Sequence, residues 1–319
     1  MFNIHSALVS CVMKTGVLPT GSGLDVFYRF WPGNKQESVI LCIHGLASDS
    51  RLYDYFATKT SSLGYNVYAI DLPGFGMSGG EKGDVSFDIT MQSLHDVVTQ
   101  IAEKHDNSKI FMLGFSLGGL LTLWYARLHP EMLQGVIGLA PHLRIEGVVR
   151  NPRTEPSNEV LALAIQKYST NPSEKVHIGL AVPNAFGELA GEEWVYMMKD
   201  SACNFDYSYG YIFDVMIGRA EKIDELYKLR LPLLILQGDE DPITVPEQTR
   251  TFVSRVESQD KELKTFHGSD HWFYHVVFYK QGNRYSESDR MNVVNTTIEW
   301  IRGRSMSLSE TETVELIRE

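Results

Sequence analysis

The stretch Ile110-Phe111-Met112-Leu113-Gly114-Phe115-Ser116-Leu117-Gly118-Gly119 constrains this chain more than any other. A continuously apolar run enters it and G-x-S-x-G follows. Leu120, Leu121, Leu123, Trp124 and Ala126 then continue as an amphipathic helix. A strand that turns into a helix at a serine exposes that hydroxyl at the top of a parallel sheet. The turn strains the backbone and admits only small neighbours, and Gly114 and Gly118 lack a Cβ. The pentapeptide alone would arise by chance in roughly 0.1 of chains of this length. The flanking strand and helix therefore carry the reading, which makes Ser116 a candidate nucleophile.

Other apolar runs repeat the strand pattern. Leu24 to Trp31 alternates loosely and ends at the turn signal Pro32-Gly33. Val39 to Ile43 is continuously apolar, as a parallel strand covered on both faces must be. It runs into His44-Gly45-Leu46-Ala47-Ser48, with Asp49 or Ser50 placed to cap a helix. Val67 to Ile70 ends in Asp71-Leu72-Pro73-Gly74-Phe75-Gly76, a helix is expected over Ile89 to Lys104, and Gly135 to Ala140 closes at Pro141. Strand and helix alternate, which predicts a doubly wound, mostly parallel sheet with right-handed crossovers.

After Pro141 the rhythm breaks. Helical stretches are expected over Glu159 to Tyr168, Gly191 to Lys199 and Tyr209 to Ile223, with no clear buried strand among them. Trp194, Tyr196, Met197, Met198, Phe205, Tyr207, Tyr209, Tyr211, Phe213 and Met216 crowd this region. They form either its own core or the lining of an apolar tunnel. Leu233 to Leu236 restarts the sheet, Leu263 to Phe266 ends it, and a helix over Ser288 to Ile301 follows. The expected organisation is a core over 1–141 and 229–304, a mainly helical cap inserted at 142–228, and an acidic, flexible tail over 305–319. The cap would lie over the carboxyl ends of the strands, where open α/β sheets bind ligands.

Composition removes several classes of function. The net charge of −11 disfavours nucleic acid and anionic membrane surfaces as partners. Three cysteines, Cys11, Cys42 and Cys203, have neither disulfide nor metal spacing and suit a reducing compartment. No signal peptide is evident, and the uncharged run Ile110 to Ala126 is interrupted by glycines, so no transmembrane segment is expected. These observations point to a cytoplasmic protein.

A serine hydroxyl needs a base to take its proton and a third group to orient that base. His271 follows the last strand, and the acids Asp239, Glu240 and Asp241 follow the one before it. The order serine, acid, histidine recurs on sheets of this kind. His267 and His275 are alternative bases. Among the acids Asp241 is favoured, because Gly238 lets the chain turn and Pro242 fixes the backbone just beyond it. Asp239 comes too early in the turn, Glu240 should point away, and Asp270 cannot fold back onto its neighbour's ring. His271 and His275 have i, i+4 spacing without a third ligand, so no metal is expected. Asp71 and Gly74 are expected to shape a turn, and Cys42 to be core.

His44-Gly45-Leu46, Asp71-x-x-Gly74-x-Gly76-x-Ser78, Gly114-Phe115-Ser116-Leu117-Gly118-Gly119, Gly238-x-x-Asp241 and Gly268-x-x-His271 together resemble the monoacylglycerol lipase/lysophospholipase branch of the α/β-hydrolases. Ser258 to Lys264 is also similar to that branch. The resemblance covers roughly 25–140 and 229–303 and is poor across 142–228. It departs at Ala47-Ser48-Asp49-Ser50, where the family often carries a second glycine followed by His-Ser. It implies an α/β-hydrolase fold with Ser116 as nucleophile, His271 as base and Asp241 as acid. The amides of Leu46 and Leu117 would form the oxyanion hole. The expected activity is hydrolysis of carboxylic esters of hydrophobic acyl chains, with no cofactor and a small, lipid-like substrate, and with transient membrane contact through the cap. Amide or carbon–carbon bond hydrolysis, acyl transfer, and a silent binding protein on the same fold are the rival readings. Ser116 excludes an aspartate nucleophile. Oligomeric state is not legible in the sequence.

Overall fold

The computed structural model describes residues 12–34, 38–106, 110–152, 156–178, 200, 203–272 and 286–305. Its strands are β1 (Lys14–Pro19), β2 (Asp25–Trp31), β3 (Val39–Ile43), β4 (Asn66–Ile70), β5 (Ile110–Phe115), β6 (Leu133–Leu139), β7 (Lys175–His177), β8 (Asp206–Ser208), β9 (Leu233–Gly238) and β10 (Lys261–Phe266). The longer helices are α1 (Asp54–Ser62), α2 (Phe87–Lys104), α3 (Leu117–Leu128), α4 (Asn158–Thr170), α5 (Pro246–Arg255) and α6 (Glu287–Ser305). Eight strands form one sheet in the order β1-β2-β4-β3-β5-β6-β9-β10. β1 and β2 run antiparallel to their neighbours, and the other pairings are parallel.

Side chains alternate across a strand, so each strand feeds two cores. Leu41 and Ile43 of β3, Met112 of β5, Val136 of β6 and Ile235 of β9 face α2 and α3, where Leu94, Val98, Leu120, Leu121 and Trp124 cover them. Ile40, Cys42, Phe111, Leu113, Ile137 and Leu236 face the other way, onto Phe56 of α1 and Val294, Ile298 and Trp300 of α6. Covering both faces requires both sets to be apolar, which is why β3 reads as an unbroken hydrophobic run. Each of these buried side chains contributes about 1.5–3 kcal/mol relative to exposure.

The strand order reverses between β3 and β5. The chain leaves β3 toward β4 on one side, then crosses back to place β5 on the other. The loops that follow two adjacent strands thus diverge to opposite faces and open a crevice at the carboxyl ends, where ligands bind on such sheets. Ser116 follows β5 and His44 follows β3, so both stand at this reversal.

Three features were not legible in the sequence. β1 is an edge strand whose half-exposed KTGVLP carries a glycine and a proline and no hydrophobic run. β7 and β8 are a short antiparallel pair between β6 and β9, where the sequence shows no clear buried strand. The helix expected over Tyr209 to Ile223 is present from Tyr209 to Glu221. Its middle over Ile212–Ile217 is π-helical, and the chain turns at Lys222. Gly191 to Lys199, with Trp194, Tyr196, Met197 and Met198, lies outside the described residues, as do His275 and the tail from 306. Phe205, Tyr207, Tyr211 and Val215 are buried and continuous with the core over α2 and α3. Met216 only packs against that core.

Candidate active site

Ser116 sits between β5 and α3 with φ 51° and ψ −115°, a backbone that L-residues seldom adopt. Its own polar groups hold it there. The N–H donates to Leu139 O at 2.9 Å, and the C=O accepts from Leu120 at 3.1 Å and from His142 at 2.9 Å. The flanking glycines permit the approach. A Cβ on Gly114 would lie 2.2 Å from Gly118 O, and one on Gly118 would lie 2.2 Å from Ile43 O and 2.3 Å from His44 O. The first turn of α3 is thereby pressed against the end of β3. Leu117 opens α3, where the first amides have no partner within the helix.

The His44–Ser48 loop faces this turn. The Gly45 carbonyl accepts from His44 Nδ1 at 2.7 Å and from Ser48 Oγ at 3.0 Å. A trans peptide points its N–H opposite to its C=O. Two donors on Gly45 O therefore direct the Leu46 N–H away from them. His44 Nε2 accepts from the Leu72 N–H at 3.0 Å, so its single proton is on Nδ1. Burial lowers the pKa of His44, against the pull of Asp71, and keeps the ring neutral. Asp71 ties two loops together by accepting from Ser50 N at 2.8 Å and Met77 N at 2.7 Å.

On the far side of β6, Asp241 and His271 meet. His271 Nδ1 donates to Asp241 Oδ2 at 2.7 Å. The same Oδ2 accepts from Thr244 Oγ1 at 2.6 Å and Gln237 Nε2 at 3.1 Å. Oδ1 accepts the N–H groups of Ile243 at 2.8 Å and Thr244 at 2.9 Å. Five donors on one buried carboxylate match an ionised acid, which can only accept. This bond makes Nδ1 the donor toward Asp241 and leaves Nε2 as the ring's other nitrogen, turned away from the carboxylate. The imidazole lies 4.8 Å from the ring of Phe115, the residue before Ser116.

The other candidates stand elsewhere. Asp239 accepts from His267 Nδ1 and from the Gly268 N–H, both at 2.8 Å, in a pair whose histidine side chain is 90 % exposed. Glu240 is exposed. Asp270 accepts from the Trp272 N–H at 2.8 Å. Cys42 is buried in the core, where burial pushes its thiol pKa up.

Several participants were not legible in the sequence. Gln237 and Thr244 hold Asp241, although the only signal was their place on either side of the acid cluster. His142 follows Pro141, and its Nε2 is 3.2 Å from Met216 O, a carbonyl that can only accept. Burial and the Arg144 charge push its pKa down to about 4, so it is neutral and donates from Nε2.

A reversed parallel sheet with a serine on a strained strand-to-helix turn defines the α/β-hydrolase fold, and the solved structures agree. A soluble variant of monoglyceride lipase from Saccharomyces cerevisiae, in complex with a substrate analog, superposes with a TM-score of 0.74 at 23 % identity, covering 89 % of this chain and 94 % of that one. The family described as serine aminopeptidase, S33, matches residues 34–275, and the chain belongs to it. Among individual proteins, the chain is 25 % identical to monoacylglycerol lipase of Mycolicibacterium smegmatis, over 88 % of this chain and 93 % of the relative. It is equally identical to mouse monoglyceride lipase, over 82 % of each chain. Among the described residues no helix is long and apolar enough to cross a membrane.

Proposed function

We propose that this protein hydrolyses carboxylic esters of hydrophobic acyl chains, of the monoacylglycerol type, through an acyl-enzyme on Ser116. The observation that carries this reading is the buried Asp241–His271 pair set beside the strained Ser116 turn. In this scheme His271 Nε2 takes the Ser116 proton as Oγ attacks the ester carbonyl. The Leu46 and Leu117 amides receive the developing oxyanion, and Asp241 stabilises the imidazolium. His271 then protonates the departing alkoxide. It activates a water to release the acid, and no cofactor enters either half-reaction.

Residues 142–228 act as a cap over this site. Lipid-like substrates fit α4, which buries no residue and exposes Leu163 and Ile165 at 51 % and 48 %. Transient contact of that helix with a lipid surface is part of the reading. So is a cytoplasmic setting, to which the buried Cys42 thiol is suited.

A second reading, cleavage of an amide beside a free amino group, follows from the description of the matching family. One assay separates the two. It measures kcat/KM for p-nitrophenyl esters from acetate to palmitate, a monoacylglycerol, a lysophospholipid and aminoacyl p-nitroanilides. The proposal expects the longer esters and the monoacylglycerol to lead. Turnover confined to the anilides would replace it with the peptidase reading.

A further inference from the structure

The oxyanion loop has one anchor that comes from far away in the chain. The Ala47 N–H donates to Tyr207 Oη at 3.0 Å, although the two residues are 160 positions apart. Tyr207 Oη in turn donates to Asn204 O at 2.6 Å, so the hydroxyl has a defined donor and a defined acceptor. Burial pushes the phenol pKa up, and it stays protonated. Ala47 has φ 56°, a left-handed conformation that a Cβ disfavours and that persists only where neighbours enforce it.

We propose that Tyr207 is a positioning residue that holds the Leu46 amide in line for the oxyanion, acting through Ala47. The inference rests on the serine-hydrolase reading above. Between two planar peptides the backbone has only the φ and ψ of the residue that joins them. The peptide before Leu46 is fixed by His44 and Ser48 through Gly45 O. The peptide after it is fixed by Tyr207 through the Ala47 N–H. With both planes held, the Leu46 N–H has one direction before substrate arrives. Such preorganisation is what makes oxyanion donors effective.

Tyr207 is itself rigidly seated. It is fully buried, with its ring 6.0 Å from Phe75 and 5.4 Å from Tyr211. Phe75 lies 5.2 Å from His44, so aromatic packing joins the two anchors of the loop. The next residue docks β8 onto the core, because the Ser208 N–H donates to Gly83 O at 3.0 Å and the hydroxyl bonds Asp84. A Cβ on Gly83 would lie 2.1 Å from Asp206 O, which shows how closely the two segments approach. β8 is therefore part of the catalytic apparatus, and displacing it slows the chemical step as well as altering substrate fit.

Tyr207→Phe tests this, because it keeps the ring and removes only the hydroxyl. Phosphonylation of Ser116 by a fluorophosphonate also places an oxygen in the hole, so its second-order rate reads the loop without knowledge of the natural substrate. The labelling rate and the ester kcat should both fall by roughly 10- to 100-fold, with KM changed by less than about threefold. Exchange of the Ala47 amide should accelerate in the same variant. Circular dichroism and a thermal melt establish that the variant is folded. A folded variant that labels at the wild-type rate, or whose loss lies in KM alone, overturns the proposal. If wild type labels at Ser116 but hydrolyses no ester, the ester reading fails while the comparison of labelling rates still decides the role of Tyr207. If wild type is not labelled at Ser116, both fall.

Discussion

His271 Nδ1 and Asp241 Oδ2 lie 2.7 Å apart with side-chain exposures of 4 % and 0 %. A few residues away, His267 Nδ1 and Asp239 Oδ2 lie 2.8 Å apart, yet that histidine is 90 % exposed. The two pairs share chemistry and separation and differ in what surrounds them. Water screens the outer pair, which therefore contributes little. The inner pair works at low dielectric, where orientation of the proton has full effect.

That contrast predicts two substitutions of opposite consequence. Asp241→Asn should lower kcat by roughly 10⁴, because an amide in that place favours the wrong histidine tautomer. Asp239→Asn, two positions earlier, should cost less than roughly tenfold. Steady-state assays of the two purified variants check this. A crippled Asp239→Asn beside an active Asp241→Asn would reassign the acid.

Thr244 gives Asp241 both its hydroxyl and its N–H. Thr244→Val keeps the shape and the backbone donor while removing the hydroxyl. Stability should fall by about 1.5–3 kcal/mol, the cost of one donor to a charged group. The kcat should fall by roughly tenfold as the carboxylate gains freedom, an expectation scaled from the larger loss on changing the acid itself. Urea denaturation and steady-state kinetics read the two effects separately.

The core was legible for a physical reason and the supports of the site were not. Val39 to Ile43 and Ile110 to Leu113 announce themselves because strands covered on both faces must be apolar at every position. Ser116 announces itself because only small residues tolerate its turn. β1 is covered on neither face to that degree and leaves no such trace. β7 and β8 have three residues each, too few for any periodicity. Asp241 could be preferred over Asp239 from turn geometry. The bond from Ala47 to Tyr207 joins a backbone amide to a side chain across the fold, and no local pattern encodes it. The helix expected over Tyr209 to Ile223 is present, but its π-helical middle over Ile212–Ile217 is something propensity does not foresee.

Two buried neutral histidines set an acid limit to stability. The pKa of His142 falls from 6.5 to about 4, and that of His44 is also lowered, in both cases chiefly by burial. The unfolded chain therefore binds more protons than the folded one below about pH 6.5, and stability falls as pH drops from there toward about 4. His142→Gln retains a donor for Met216 O and cannot titrate. Its melting temperature should decline less steeply than that of wild type across this window. Thermal melts between pH 4 and 7 measure the difference, and parallel curves would show that His142 does not contribute.

In the proposed reaction the Ser116 hydroxyl carries the acyl group. The most direct measurement is a rapid acid quench of enzyme mixed with a p-nitrophenyl ester, followed by peptide mass mapping, with Ser116→Ala in parallel. The expected result is one acyl adduct on the peptide containing Ser116, none in the variant, and ester turnover reduced by roughly 10⁶. An adduct on another residue, or a folded Ser116→Ala protein that keeps more than a few per cent of its activity, would contradict it.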